Sequence, residues 1–488
     1  MTPMTYDMPS GLAPCRLKAT VAALALLGLS GCADLSGITP QASLRDASSL
    51  GLNAAATDTF APDSQWWLGF EDTQLNGLID QALAANPSLR MAQARLARAQ
   101  AGADNTAAAA KPQLSANVDA TQQLYSANGM VPAPLGGSVS GGGSAQLSGS
   151  WELDFFGKNQ AALAAALGHT RAAQADAQAA RVLLATSVAR NYYQLVRLQA
   201  QLVVAQGQLA QRKHTLQLVH DRMNAGLDTQ LELLQAQGSL PEAQLQMETL
   251  QEQLALAQNS LQALIGQPNR PLVLVLPAQT AIKSIATVSA LPSNLLGRRA
   301  DIAAARWRVE AATQDVGNAK AQFYPNVNLV AFAGFSSIGL DRLVSAGSQQ
   351  WGVGPALRLP IFDGGRLRAN LSGKTADLDA AVESYNATVV EAIHEVTDQI
   401  ASRQAIARQR AEQQVAQTYA EQTYAMSLQR YQAGLGNYLP VLTAEAAVLN
   451  QRRQQVELAA RTVDTQLLLV RALGGGIRDE PPATLAPQ

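Results

Sequence analysis

The sequence contains one structural unit twice, and this repetition constrains its fold more than any other feature. In the first part of each unit, identical residues recur at a constant separation: Ala92, Arg95, Ala99 and Pro112 match Ala305, Arg308, Ala312 and Pro325. In the later part, Arg222, Ala225, Gly226 and Leu227 match Arg430, Ala433, Gly434 and Leu435. A repeat of this length indicates two copies of one supersecondary unit that fold against each other.

Each copy predicts the same order of elements: a helix, two alternating strands, a very long helix, a glycine turn and a last helix. The chain is therefore expected to be mainly α with a small β part. The first copy is predicted over 72–266, with its first helix at 72–108 and its strand hairpin at 113–155. The second copy is predicted over 293–474, with its first helix at 293–321 and its strand hairpin at 326–362. A linker over 267–292 joins the copies, and a tail over 475–488 follows them.

The strand hairpins alternate between apolar and polar residues, so each predicted strand has one apolar face. The apolar positions of the first hairpin are Leu114, Ala116, Val118, Ala120, Leu124, Leu147, Trp151, Leu153 and Phe155. Those of the second are Val327, Leu329, Ala331, Phe335, Trp351, Val353, Leu357, Leu359 and Ile361. The intervening stretches, 126–144 and 336–350, are rich in Gly and Ser and are predicted to be loops.

Strands of about ten residues with one apolar face suit a membrane barrel, with a soluble hairpin packed on a core as the alternative. Four strands cannot close a barrel, and an open sheet edge in lipid would leave unpaired backbone groups at high cost. If the strands enter a membrane, several chains must therefore share one barrel, and three copies would supply twelve strands.

The long helices form the second large feature. Residues 158–225 contain no proline, and Gly226 supplies a helix stop. The seam of this helix is apolar except at Arg212 and has the spacing of a coiled coil: Leu195, Leu198, Leu202, Ala205, Leu209, Arg212, Leu216, Val219 and Met223. The matching helix over 366–433 keeps this seam only in part. Each helix would be about 100 Å long, several times the thickness of a bilayer.

The N-terminus predicts a secretory signal peptide over 1–31. A basic flank precedes an apolar run over 19–29, and the sequence Leu-Ser-Gly-Cys then ends at Cys32. This ending resembles the bacterial lipoprotein box, in which the chain is cut before the cysteine and acyl chains are attached there. The resemblance implies a lipid-anchored segment over 32–71 that begins at Cys32. The alternative is an ordinary signal peptide with an incidental cysteine.

The composition argues against an enzyme, a metal protein and a nucleic-acid-binding protein. Only 5% of the residues are aromatic and 15% charged, which suits long helices better than a large enzyme core. The formal net charge is -1, and no basic stripe is present. His394-Glu395 begins a zinc-protease motif, but Asp398 stands where the second histidine would be. We expect no catalytic residue, no metal and no cofactor other than the covalent lipid on Cys32.

Several short motifs identify a family when they are taken together. They are Trp66-Trp67, Asn86-Pro87-Ser88-Leu89, and the segments 151–158 (WELDFFGK), 291–302 (LPSNLLGRRADI), 360–365 (PIFDGG) and 430–434 (RYQAG). With the lipoprotein box, the strand hairpins and the duplication, they resemble the TolC/OprM-like outer-membrane efflux proteins, specifically the NodT-type lipoprotein branch. The resemblance covers residues 60–475.

This resemblance implies a passive homotrimeric duct with a twelve-stranded outer-membrane β-barrel and a long α-helical barrel in the periplasm. Its inner end would meet a periplasmic adaptor protein and an inner-membrane RND-type pump, which supplies the energy. The expected location is the outer membrane, lipid-anchored and extending into the periplasm. An exit duct for type I protein secretion and a non-transporting envelope scaffold remain as alternatives.

The resemblance also places the two glycine turns at the inner end of the duct, where family members dock the adaptor and close the pore. The residues expected there are Gly226, Asp228, Gly434, Asn437 and Tyr438. Both glycines permit the turns, whereas Asp228 and Asn437 are equally consistent with a role as helix caps.

Two departures from the family pattern concern helix starts. Ala300 stands where the family has proline in Arg-Arg-Pro-Asp-Ile, which should fix that helix start less sharply. The stretch 440–443 lacks the aspartates that ring the closed pore in several members. A ring of acids in this chain would have to use Glu232 or Glu445.

Cys32→Ala should abolish incorporation of radiolabelled palmitate into the protein, because Cys15 is removed with the predicted signal peptide. The matched control is Cys15→Ala, which should incorporate label normally. Persistent labelling of the Cys32→Ala protein would refute the lipoprotein box.

Overall fold

The computed structural model describes residues 35–45, 64–268, 270–283 and 297–476. Cys32, the predicted signal peptide, residues 284–292 of the predicted linker and residues 477–488 of the predicted tail lie outside the described residues. The first repeat comprises α1 (Thr73–Ala85), α2 (Pro87–Ala109), β1 (Gln113–Leu124), β2 (Val139–Leu153), α3 (Lys158–Asn224) and α4 (Gln230–Leu264). The second comprises α5 (Ala300–Ala321), β3 (Asn326–Ile338), β4 (Gln349–Arg358), α6 (Arg366–Gln432) and α7 (Leu439–Ala472).

The chain divides into two compact units, and each takes segments from both repeats. Among the described residues, the sheet unit comprises 35–43, 98–170 and 307–383. The helical unit comprises the described residues within 44–97, 171–306 and 384–476. Since each sequence repeat contributes to both units, one repeat by itself contains only half of each. The repeat therefore describes the sequence and the order of elements. A compact unit forms only from segments of both copies.

The first predicted helix, 72–108, is two helices in the structure. Asp72 begins α1, where its side chain accepts two backbone N–H groups of the first turn. Asn86 ends it in an extended conformation, with φ −67° and ψ 126°. Pro87 disfavours a helical conformation in the residue before it, and it then begins α2. The prediction of one continuous helix was wrong at this point.

Backbone pairing joins the four strands into one antiparallel sheet in the order β1-β2-β3-β4. β2 belongs to the first repeat and β3 to the second, so their ladder, with Leu153 opposite Val327, unites the two hairpins. β2 begins at Val139, not after residue 144, because the glycines at 141–143 pair with β1 instead of forming a loop. β1 and β4 are the two edge strands of this sheet.

The register places the predicted apolar positions within the four strands on one face, because directly opposed residues in antiparallel strands share a face. Phe155, Leu359 and Ile361 lie beyond the ends of β2 and β4, so the predicted strands were too long there. One cross-strand row of this face consists of Ala116, Leu147, Ala333 and Trp351. Several large side chains of this apolar face are strongly exposed: Val118 by 77%, Trp351 by 78% and Leu357 by 68%. The soluble-hairpin alternative requires this face to pack on a core. Within the described chain no core covers it.

The core of the helical unit begins with aromatic residues that precede α1. Trp66, Trp67 and Phe70 are buried, and the ring of Phe70 lies 5.2 Å from that of Tyr193 on α3. The neighbouring Tyr192 is fully buried and donates its hydroxyl to the carboxylate of Asp72 at 2.7 Å. This hydrogen bond joins the start of α1 to α3.

The predicted seam of α3 is buried along much of its length. Leu198, Leu202 and Ala205 pack against Leu250 of α4, so the two helices form an antiparallel hairpin. The partial seam predicted on α6 is confirmed at Val396, which is fully buried. None of the described helices is both long and apolar enough to cross a bilayer.

Gly334→Ala should destabilise the sheet, because a Cβ at this position would lie 2.2 Å from the carbonyl oxygen of Ala145. Only a shift of β2 away from β3 relieves such a contact, and we expect the free energy of unfolding to fall by about 1–3 kcal/mol. Gly354→Ala in β4 is the matched control, since a Cβ there meets nothing within 4 Å. Denaturant titration of the two detergent-solubilised variants measures the difference, and equal stabilities would contradict the prediction.

Candidate functional site at the helical hairpin tips

The two turns that join α3 to α4 and α6 to α7 have the same backbone geometry. In the first, Gly226 has φ 72° and the N–H of Leu227 donates to the carbonyl of Arg222 at 2.9 Å. In the second, Gly434 has φ 73° and Leu435 repeats that bond to Arg430 at 2.9 Å. This is the helix-ending motif that needs a left-handed residue, which glycine supplies without strain.

The helices that follow the turns are capped by other residues than predicted. Thr229 caps α4, and a capping box forms because Glu232 accepts the backbone N–H of Thr229 at 2.9 Å. Tyr438 occupies the cap position of α7 but makes no side-chain capping bond. The capping roles considered for Asp228 and Asn437 are therefore wrong. Hydrogen bonding to Thr229 lowers the pKa of Glu232.

Asp228 instead joins the two hairpin tips. Its carboxylate accepts from Arg222 Nε at 3.1 Å and Nη2 at 3.4 Å, and from the hydroxyl of Tyr431 on α6. The guanidinium carbon of Arg222 lies 4.4 Å from the centroid of the Tyr431 ring. The side chains of Arg222 and Asp228 are only 10% and 5% exposed. We call Arg222, Asp228 and Tyr431 the tip cluster.

Apolar packing encloses the tip cluster. The rings of Tyr431 and Tyr438 lie 5.7 Å apart, and both residues are 1% exposed. The other buried members of this core are Val219, Leu233, Ala236 and Val441. Because the side chains of Arg222 and Asp228 are almost completely buried, separation of the tips would leave their charges without a partner.

The environment holds both tyrosines in their protonated form. Burial raises the pKa of Tyr431 far above its ordinary value, and the hydrogen bond to Asp228 raises it further. Burial also raises the pKa of Tyr438 to about 12. For Arg222, burial alone would lower the pKa, but the hydrogen bond and charge of Asp228 outweigh it and the net pKa is raised. Arg222 therefore stays a cation and Tyr431 a neutral donor at physiological pH.

A second buried ion pair lies further from the turns. Arg212 Nε on α3 donates to Glu445 Oε1 on α7 at 3.2 Å, and Arg212 also donates to the carbonyl of Ser239. The side chain of Glu445 is 1% exposed, and its other oxygen has no hydrogen-bond partner among the described residues. Burial raises the pKa of Glu445, although Arg212 opposes this shift.

The acids considered for a pore ring are both engaged elsewhere. Glu445 is enclosed between helices of the helical unit, so it does not present a free carboxylate at the surface. Glu232 is partly exposed, but it completes the capping box of α4.

The structure separates the predicted tip residues into an exposed set and an enclosed set. Gly226, Gly434 and Asn437 are exposed, whereas Asp228 and Tyr438 face the interior. The structure also shows a group of exposed leucines around the two turns, which we call the apolar tip surface. Sequence reasoning did not identify this group. Its members are exposed by 55–69% and occupy equivalent positions of the two copies: Leu227, Leu231, Leu435 and Leu439.

Sequence reasoning also missed Arg222 and Tyr431 as partners of Asp228. A usable signal was present where the two copies differ within otherwise matched turns. Tyr431 stands at the position of Met223, and Asp228 at the position of Gly436. A polar residue that appears in only one copy is a candidate for a contact between the copies.

Comparison with known proteins gives concordant similarities. Residues 78–267 and 291–475 match the sequence model of a family described as outer membrane efflux protein. The multidrug resistance outer membrane protein MdtQ of Escherichia coli O6:H1 is 33% identical over 471 residues, spanning 93% of this chain and 97% of MdtQ. The fusaric acid resistance protein FusA of Burkholderia cepacia is 35% identical over 366 residues, spanning 72% of this chain and 69% of FusA.

A solved structure agrees with these sequence matches. The crystal structure of the outer membrane protein VceC from Vibrio cholerae superposes with a TM-score of 0.81 at 39% identity. The superposition covers 85% of this chain and 99% of the VceC chain. The fold described above is therefore the fold of these outer-membrane proteins.

Tyr431→Phe should loosen the tips, because it keeps the ring beside Arg222 but removes the donor to Asp228. A hydrogen bond to a charged group contributes about 1.5–3 kcal/mol, so backbone amides at residues 219–233 should exchange with deuterium at least about tenfold faster. Tyr419→Phe on the same helix is the matched control, since Tyr419 is 66% exposed. Equal exchange in the two variants would show that the hydroxyl of Tyr431 does not hold the tips together.

Proposed function

The chain belongs to the outer membrane efflux protein family, and from this we propose that it is the passive exit channel of a small-molecule efflux system. The family consists of outer-membrane channels that are not enzymes. The observation that carries the proposal is the sheet, whose apolar face is exposed and whose edge strands β1 and β4 are free to pair with other chains.

The sheet supports a trimer. Its apolar face suits contact with lipid, and the opposite face carries polar residues such as Asn117, Gln146 and Gln350 in one cross-strand row. An edge strand in lipid leaves its backbone N–H and C=O groups unpaired at a cost of several kcal/mol each. Pairing of β4 in one chain with β1 in the next removes both edges, and three chains then close a barrel of twelve strands.

The helical unit supports contact with an efflux machine at the hairpin tips. Four exposed leucines surround the two glycine turns, and they present a small apolar surface in the same arrangement on each copy. We assign this surface to docking of a periplasmic adaptor, with an RND-type inner-membrane pump as the source of energy. Gly226, Gly434 and Asn437 are exposed beside it, while Asp228 and Tyr438 contribute from inside by holding the tips in place.

Opening of the channel would then require the two hairpins of a chain to move apart. The tip cluster opposes this movement because Asp228 is held by groups of both hairpins and is almost fully desolvated. Removal of one partner from a buried ion pair is strongly destabilising. An adaptor that opens the tips must therefore supply comparable contacts to the groups it separates.

The proposed location is the outer membrane, with a covalent lipid on Cys32 as the anchor and no other cofactor. Three acyl chains on one residue give stable attachment, since each buried CH₂ contributes about 0.8 kcal/mol.

The relatives favour small molecules over secreted proteins as cargo. MdtQ is named for multidrug resistance and FusA for fusaric acid resistance.

The substitutions Val118→Arg and Asn117→Arg test the channel directly, because these neighbours lie on opposite faces of β1. Arginine in contact with lipid costs about 2–4 kcal/mol at the bilayer midplane. Val118→Arg should therefore reduce the amount of trimer in the outer membrane. Asn117→Arg should leave the trimer intact and shift the ion selectivity of the channel, measured in a planar bilayer, toward anions.

The cellular measurement uses a strain that lacks this gene and accumulates a fluorescent efflux substrate. The wild-type chain should restore low accumulation, and Val118→Arg should not. Normal assembly and efflux of Val118→Arg would contradict the proposed lipid contact. Export of a secreted protein without any change in dye accumulation would favour the type I secretion alternative.

A further inference from the structure

The described residues nearest the N-terminus, 35–45, lie against α6, and we call this segment the N-terminal strap. We propose that Asp379 on α6 is the docking residue for the strap, and that it thereby fixes where the lipid anchor leaves the protein. The docking itself rests only on contacts within the chain. Its consequence for the anchor rests on the proposed lipidation of Cys32.

The contact at Asp379 is directed at the backbone. Its Oδ1 atom accepts the N–H groups of Gln41 and Ala42, each at 2.9 Å. A carboxylate that accepts two consecutive backbone donors makes charge-assisted hydrogen bonds, which are about twice as strong as neutral ones. Because both donors belong to the backbone, the contact fixes the position of the chain along α6 whatever its side chains are.

A second contact holds the strap nearer its start. Arg368 Nη2, two residues into α6, donates to the carbonyl oxygen of Ser36 at 3.1 Å. The helix rises about 16 Å from Arg368 to Asp379, and the chain from Ser36 to Gln41 covers at most about 17 Å when extended. Because the contacts keep the same order on both segments, the strap runs along α6 in the same direction as the helix. A third contact, from the N–H of Arg45 to Asn386 Oδ1 at 3.0 Å, continues this order.

The strap leaves little freedom to the residue that would carry the lipid. Only three residues lie between Cys32 and Ser36 in the sequence, so covalent geometry over four residue steps limits Cys32 to about 14 Å from Ser36. Ser36 itself lies at the first turn of α6, which follows the end of β4. An anchor on this chain would thus be held near the strand-to-helix junction of the sheet unit, with no long tether.

That junction carries the aromatic side chains expected where a sheet leaves a membrane. The rings of Phe156, after β2, and Tyr324, before β3, stack with centroids 5.0 Å apart. Phe155 and Phe362, which follow β2 and β4 at the same end of the sheet, are 68% and 92% exposed. Exposed aromatic residues mark the headgroup level of membrane proteins. The strap therefore places the anchor at the level where acyl chains enter the bilayer.

Limited trypsin digestion of the purified full-length protein tests the docking, because Arg45 is the only lysine or arginine between residues 33 and 89. Cleavage after Arg45 requires the strap to leave α6. In Asp379→Ala this cleavage should be about tenfold faster than in the wild type. The matched control is Asp377→Ala, two residues earlier on α6, whose carboxylate is 66% exposed and contacts only Lys374 at 3.4 Å among the ion pairs described. This variant should be cleaved at the wild-type rate.

Cleavage at one rate in all three proteins would overturn the docking role of Asp379. The same digestion on a Cys32→Ser background separates this outcome from failure of the proposed anchor. Protection that persists without the lipid supports docking by Asp379. Loss of protection in Cys32→Ser alone would show that the lipid, and not Asp379, holds the strap.

Discussion

Backbone pairing between β2 and β3 brings the two halves of the chain into one sheet, and the remaining features of the sheet unit depend on it. Each hairpin alone has only two strands, and an isolated two-stranded hairpin is marginally stable at best. The ladder aligns Leu147 with Ala333 and Trp151 with Leu329, so the two faces become one continuous apolar surface. It also leaves a single pair of edges, β1 and β4, which other copies of the chain can close.

The helical unit is held together in a different way, by arginines that link the two copies. Arg222 meets the α6 residue Tyr431 through Asp228, and Arg212 meets Glu445 on α7. Arg299, before α5, makes a further link, this time within the second copy: its Nη1 atom donates to Glu395 on α6 at 2.6 Å and its Nη2 atom to Asp301 at 2.6 Å. Desolvation makes such pairs expensive to form and more expensive to break. They favour one relative placement of the helices within this unit.

Particular residues show how far sequence patterns reach. The alternation of Leu114, Ala116 and Val118 identified the apolar face before any pairing was known, because side-chain direction follows from the strand period alone. The seam through Leu198 and Leu202 likewise followed from helical spacing. The predicted helix over 72–108 was wrong because Pro87 keeps Asn86 out of the helical conformation and so divides the segment into two helices. The capping role of Asp228 was wrong because local position does not reveal a partner 203 residues away. That of Asn437 was wrong because α7 begins one residue later, with Tyr438 at the cap position.

The sequence by itself determined the duplication, the order of elements in each copy, the face of every strand and the glycine turns, since all of these depend on local periodicity or on backbone preferences of single residues. The tertiary structure alone decided that compact units combine segments of both repeats, that β2 pairs with β3, and that Asp228 and Asp379 bind distant groups. These features depend on which residues meet in space. No local pattern encodes that, because the free energy of each contact comes from both partners and from their shared loss of water.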